Sequence, residues 1–135
     1  MRILIVDDEQ EILNMLRRNL ALDGYDVYTS TSPNEALEMM KDGLYNLVIT
    51  DIKMPGMSGV DLLVEIKKVN PLANVIMMTG YSSMAHVVDC LGAGAMDYFV
   101  KPFHDLDEVI SAVGQARDRI LRWRSSMGLD TVGEA

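Results

Sequence analysis

Five short apolar runs, each followed by a segment of helical spacing, leave this chain few ways to fold. Residues 3–6 (Ile-Leu-Ile-Val) form the first run. Glu9 to Leu22 follows, with Ile12, Leu13, Leu16 and Leu20 recurring on one face, until Asp23-Gly24 breaks the pattern. Tyr25 to Thr29 alternates more and reads as the second strand. Ser32-Pro33-Asn34-Glu35 has the order of a helix start: a capping hydroxyl, proline at the first helical position and a glutamate closing a capping box. That helix should run to about Lys41. The third strand is Leu47 to Thr50, ending at Asp51, and Ser58 caps a helix from Gly59 to about Val69. Asn74 to Met78 is the fourth strand, and a helix from Ser82 or Ser83 should reach about Leu91. Met96 to Val100 is the fifth. Asp105-Leu106-Asp107-Glu108 then opens a last helix carrying Leu106, Val109, Ile110, Val113 and Ile120 on one stripe.

Strands alternating with helices imply an α/β fold: a five-stranded parallel sheet, doubly wound as (βα)5, with helices on both faces. Four of the five strands are almost wholly apolar, as strands covered on both faces must be. The 135 residues, 49% of them hydrophobic, suit one domain with one core. Residues 1–121 are expected to form it, with 122–135 a helix extension and flexible tail. No apolar run has the length of a membrane span, and the short run before Asp7 does not resemble a secretion signal, so a cytoplasmic location is expected. Cys90, the single cysteine, excludes an internal disulfide and reads as a small core or interface residue. A net charge of −8 repels phosphate backbones, so direct nucleic-acid binding is not expected. Arg117, Arg119, Arg122 and Arg124 around Trp123 read as a solvated or linker helix because Asp118 interrupts them.

In such a sheet, ligands sit beyond the carboxyl ends of the strands, where the strand order reverses. Here those ends carry Asp7-Asp8, Asp51, Thr79 and Lys101. Alone, Asp7-Asp8 is equally well explained as a helix cap. Together the residues make a different case. Three carboxylates at one edge repel each other, and a hard divalent cation relieves the repulsion. With no His or Cys beside them, the donors suit Mg2+ or Mn2+ and not Zn2+. Lys101 adds a cation and Thr79 a hydroxyl. A carboxylate nucleophile with these neighbours is a constellation for phosphoryl transfer. His86 and His104 lack metal-ligand spacing and are expected at the surface, whereas Met54, Met57 and Met84 are candidates to face a partner.

The segments Ile5-Val6-Asp7-Asp8-Glu9, Thr50-Asp51-Ile52-Lys53-Met54-Pro55-Gly56, Met78-Thr79-Gly80 and Tyr98-Phe99-Val100-Lys101-Pro102-Phe103 closely resemble receiver domains of two-component response regulators, of the CheY-like and NtrC-type kinds. The resemblance runs from Met1 to about Leu121. It implies the strand order 2-1-3-4-5 and a phosphoryl group carried to Asp51 from a histidine kinase or phosphotransfer protein. It also implies Mg2+ held by Asp7, Asp8, Asp51 and the backbone carbonyl of Lys53. Thr79 and Lys101 would bind phosphoryl oxygens, Lys101-Pro102 would be a cis peptide, and Tyr98 would turn inward with Thr79 as a switch. Helix 4, strand 5 and helix 5 would form the output and dimer surface, toward a downstream protein or the chain's own output domain. Lys53 and Tyr81 occupy positions that modulate loss of the phosphoryl group in this family. The resemblance implies a signalling phospho-acceptor, not an enzyme beyond its own phosphotransfer and autodephosphorylation. Two rivals use related chemistry or topology. A haloacid-dehalogenase-like aspartyl phosphatase needs Asp-x-Asp after its first strand, which is absent. A flavodoxin-like FMN carrier needs a Ser/Thr/Gly-rich phosphate loop where this chain has two aspartates.

Overall fold

The computed structural model describes residues 1–43, 45–101 and 106–128, and the side chains of all of these but 81–83. Five parallel strands lie in the order β2-β1-β3-β4-β5: β1 (Arg2–Val6), β2 (Asp26–Ser30), β3 (Leu47–Asp51), β4 (Asn74–Thr79) and β5 (Asp97–Val100). The connecting helices are α1 (Gln10–Leu22), α2 (Pro33–Met40), α3 (Gly59–Val69) and α4 (Val87–Gly92), and α5 (Leu106–Ser126) closes the chain. The expected fold class and strand order are both present.

Side-chain alternation along the strands builds two cores. From β1, Leu4 and Val6 point one way, with Val48, Val75 and Met77, and meet Ala36, Met40, Leu62, Leu63, Ile66, Val87 and Cys90 of α2, α3 and α4. Ile3 and Ile5 point the other way, with Leu47, Ile49, Ile76 and Met78, and meet Leu13, Leu16 and Leu20 of α1 and Val109, Val113 and Ala116 of α5. Each fully buried leucine contributes about 2 kcal/mol relative to an exposed one, so the apolar spacing read in the sequence is what fastens each helix to its face. The chain goes from β1 to its neighbour β2 on one side, then returns to β3 on the other. The order therefore reverses between β1 and β3, and their carboxyl ends flank the crevice.

The helix starts hold in part. Ser32 accepts a hydrogen bond from the Glu35 amide, with Pro33 next to it, and Ser58 accepts one from the Asp61 amide. The expected helix from Ser82 or Ser83 is different. Tyr81 to His86 forms a 3-10 segment, and the α-helix proper begins only at Val87. Its cap residue His86 makes no side-chain capping bond, and without a cap the unpaired amides of a short helix are met by tighter i to i+3 bonding. The expected capping box at Asp105, together with His104, lies outside the described residues. α5 extends to Ser126, past the expected domain end at 121, and its last buried residue is Ile120. Among the described residues no helix is long and apolar enough to cross a membrane.

Candidate functional site

Strand ends deliver the site, so strand order decides which side chains meet. β1 and β3 are adjacent, with Val6 paired to Thr50, which brings Asp7-Asp8 beside Asp51. β4 and β5 then place Thr79 opposite Val100, and the Lys101 amide donates to the Thr79 carbonyl at 2.8 Å. The backbone thus aims Lys101 back toward the acidic end.

The Lys101 ammonium lies between two carboxylates, 2.6 Å from Asp7 Oδ2 and 2.9 Å from Asp51 Oδ2. The remaining oxygens are met by backbone: the Glu9 amide donates to Asp7 Oδ1 at 2.9 Å and the Lys53 amide to Asp51 Oδ1 at 3.3 Å. Asp7 is fully buried and Asp51 nearly so, whereas Asp8 is exposed. Carboxylate oxygens of all three lie within 4.8 Å of one another. An open pocket of about 500 Å³ above them is lined by Asp8, Glu9, Asp51, Lys53, Pro55 and Lys101, among others. Thr79 is buried, and its hydroxyl donates to the Gly80 carbonyl at 3.1 Å.

The ionic balance is asymmetric. Burial pushes the Asp7 carboxyl above its ordinary value, and the bonds from Lys101 and Glu9 offset this only in part. Burial also works against the Lys101 charge, but two carboxylates outweigh it and hold the ammonium above its ordinary value. One cation shared by two buried carboxylates is secure itself and leaves Asp7 under-compensated. The donor set therefore fits a hard divalent cation. Three oxygen carboxylates converge, one of them open to solvent, with an excess of negative charge. Such an ion would be held by Asp7, Asp8 and Asp51.

The structure brings Asp7, Asp8, Asp51, Thr79 and Lys101 to one edge of the sheet. Tyr98 stands apart on β5, 38% exposed. The Tyr81 side chain lies outside the described residues, as does Pro102 and with it the expected cis peptide. Met54 corrects an expectation. It is largely buried in the core with Leu62 and Leu63, with an edge on the pocket above the carboxylates. Cys90 is buried, where loss of hydration raises its thiol, and His86 is exposed, both as expected.

Two contributors escaped the sequence reading. Glu9 matters through its amide, which no side-chain motif reveals. Gly59 was read only as a helix start. A Cβ there would meet the Asp51 carbonyl oxygen and lie 2.6 Å from the Ile52 Cα, so the first turn of α3 presses directly on the chain at Asp51. The Gly59 amide also donates to the Ile52 carbonyl at 2.6 Å. A glycine immediately after a capping serine was the available signal.

Comparison with known proteins agrees with this fold. The family model for the response regulator receiver domain matches residues 3–114. Transcriptional regulatory protein ZraR of Escherichia coli K12 is 38% identical over 114 residues, covering 84% of this chain and 26% of that protein. NtrX from Brucella abortus superposes with a TM-score of 0.88 at 31% identity, over 99% of this chain and 31% of that one. The response regulator TrrA from Thermotoga maritima, solved in complex with Mg2+ and a beryllium fluoride, superposes at 0.76 with 38% identity, over 85% of this chain and 97% of that one. The chain belongs to the response regulator receiver domain family. It spans about a quarter of the length of ZraR and several other curated relatives, and half the length of another.

Proposed function

We propose that this receiver accepts a phosphoryl group on Asp51 from a phosphohistidine of a sensor kinase or phosphotransfer protein. The observation that carries the reading is Asp51 itself: a nearly buried carboxylate at a strand end, open to a pocket, within reach of two further carboxylates and one ammonium. In the step, an Asp51 carboxylate oxygen forms a bond to phosphorus. The phosphorus–nitrogen bond to imidazole breaks, and its electron pair stays on the histidine nitrogen. Bound Mg2+ supplies charge neutralisation for the phosphoryl oxygens. Asp7, Asp8 and Asp51 would hold it, with the Lys53 backbone carbonyl as a further ligand. Lys101 is already within hydrogen-bond distance of Asp51, so a small movement of its ammonium takes it from a carboxylate to a phosphoryl oxygen. Thr79 would exchange its bond to the Gly80 carbonyl for one to the phosphoryl group.

The expected consequence is a population shift. Thr79 moves toward the new phosphoryl group, the half-exposed Tyr98 turns inward, and the α4–β5–α5 surface changes shape for a downstream protein, an output domain or a second receiver. The relatives are named as transcriptional regulators, and control of transcription through such an output is the corresponding proposal for this chain, in the cytoplasm.

The test is phosphorylation by a small-molecule donor such as acetyl phosphate with Mg2+, read by intact mass. Asp51→Asn should abolish the added phosphoryl mass. Normal labelling of that variant would overturn the assignment. Loss of the group should be slow: Lys53 lies two residues beyond the acceptor, within reach of phosphoryl oxygens. Lys53→Ala should shorten the lifetime of the phosphoprotein. Decay within seconds that is unchanged in the variant would remove this part.

A further inference from the structure

Among the described residues, five that are polar or charged are buried: Asp7, Ser30, Thr50, Asp51 and Thr79. Asp7, Asp51 and Thr79 belong to the acidic edge. The Ser30 hydroxyl donates to the Ser32 carbonyl and accepts from the Ser32 amide, where the chain turns from β2 into α2. Thr50 is left without a task. It sits in the central strand β3, paired to Val6 of β1 and Met77 of β4. Paired residues of a parallel sheet point to one face. Val6 and Met77 pack in the core beneath α2 and α3, so Thr50 stands in an apolar layer. A valine would suit that layer, and a hydroxyl is costly there unless it is bonded.

The hydroxyl donates to the Asp51 carbonyl oxygen at 3.1 Å. That oxygen belongs to the peptide leading out of the acceptor residue. The same peptide is tied at its nitrogen, where the Ile52 amide donates to the Met78 carbonyl at 3.0 Å. The first turn of α3 closes on it as well, since a Cβ at Gly59 would meet the Asp51 oxygen. One residue further on, the Lys53 amide donates to Asp51 Oδ1 at 3.3 Å, which leaves Oδ2 to the Lys101 ammonium at 2.9 Å. The bond from Lys53 is long, so a small rotation of the Asp51–Ile52 peptide is enough to break it. The direction of one peptide thus sets which carboxylate oxygen is tied to backbone and which is left to the site.

We propose that Thr50 is a positioning residue for the acceptor. Its hydroxyl holds the Asp51–Ile52 peptide in the orientation that ties Oδ1 to the Lys53 amide and presents Oδ2 to the reaction. The inference rests on the reading of Asp51 as the phosphoryl acceptor and adds the residue that aims it. Thr50 is buried and forms no part of the pocket lining, so it acts through Asp51 and not on the donor. A role in packing alone has a different consequence. Valine fills the same volume between Val6 and Met77, and it would then replace Thr50 without loss of chemistry.

The test compares Thr50→Val, which removes the hydroxyl, with Thr50→Ser, which keeps the hydroxyl and loses the methyl. Hydrogen exchange of the Lys53 amide, followed by NMR without Mg2+, should be about fivefold faster in Thr50→Val, the effect of losing one hydrogen bond. Exchange in α1 should not change. Phosphorylation by acetyl phosphate at saturating Mg2+ should slow by a similar factor, with the acetyl phosphate concentration for half-maximal rate unchanged. Thr50→Ser should bring both back to within about twofold of the unsubstituted chain, as one retained hydroxyl bond requires. The proposal is overturned if Lys53 exchanges equally fast in Thr50→Val and the unsubstituted chain, if α1 and Lys53 speed up together, or if Thr50→Ser loses as much as Thr50→Val. An unsubstituted chain that takes no phosphoryl group would instead overturn the acceptor reading, and the exchange measurement would still decide the role of Thr50.

Discussion

The two edges of one sheet have opposite chemistry. At the carboxyl edge, three carboxylates converge, two of them on a single ammonium, and the site is short of positive charge. At the amino edge, Lys67, Arg119 and Arg124 line a second cleft. The first is built mostly by strand ends, which the sheet holds at fixed spacing. The second depends on a helix that outruns the core and on loops. Preorganised chemistry sits where the scaffold is stiffest, and an adaptable surface sits where burial has run out.

The largest effect expected from testing this contrast is on stability. Gly59→Ala should cost about 3 kcal/mol, because its Cβ meets backbone at Asp51 and Ile52 that cannot move aside. Gly43→Ala lies at the other edge in open space with φ +70, and should cost only about 1 kcal/mol from its left-handed backbone. Denaturant melts of both variants compare a rigid edge with a permissive one, and equal losses would break the contrast. Next in size is cation binding. Mg2+ at a hundred times its dissociation constant should raise stability by about 2.7 kcal/mol. Asp8→Asn should remove most of that gain, and Arg124→Gln should leave it intact. A gain that survives Asp8→Asn would move the ion elsewhere.

The smallest effect is on pH dependence, without Mg2+. Both raised groups hold protons more tightly folded than unfolded, so stability falls as pH rises through each folded value. For Asp7 the contribution is fully present below about 3.8 and fades as pH climbs through its raised value. For Lys101 it is fully present below about 10.5 and fades above, as pH passes the raised value of the ammonium. Lys101→Met should remove the alkaline fall, seen as a flatter melting temperature in that range. An unchanged alkaline limb would show that the ammonium is not held between the two carboxylates.

Much of the fold was legible because burial is periodic. Leu13, Leu16 and Leu20 announced α1, and the run Leu47-Val48-Ile49 announced a strand covered on both faces. Ser32 and Ser58 marked helix starts by local chemistry alone. The site residues were legible as a set, since each stands where an apolar run ends. The segment at Tyr81 to His86 was not legible in the same way. The serines there offer a helix start, but the α-helix proper begins only at Val87, behind a residue without a side-chain cap. Met54 misled because a methionine in a loop looks available until the loop is packed.

The sequence by itself determined the alternation of strand and helix, the two-faced burial of the sheet and the residue types at each strand end. These follow from covalent order, local capping and the periods of helix and strand. Only the tertiary structure decided that Lys101 bridges Asp7 and Asp51, that Gly59 presses on the Asp51 carbonyl, and that Lys67 joins Arg119 and Arg124 around one cleft. Most of those pairings join residues far apart in the chain. Electrostatic and steric energies depend on distance through space, and that distance is set only when the strands take their order and the helices settle on their faces.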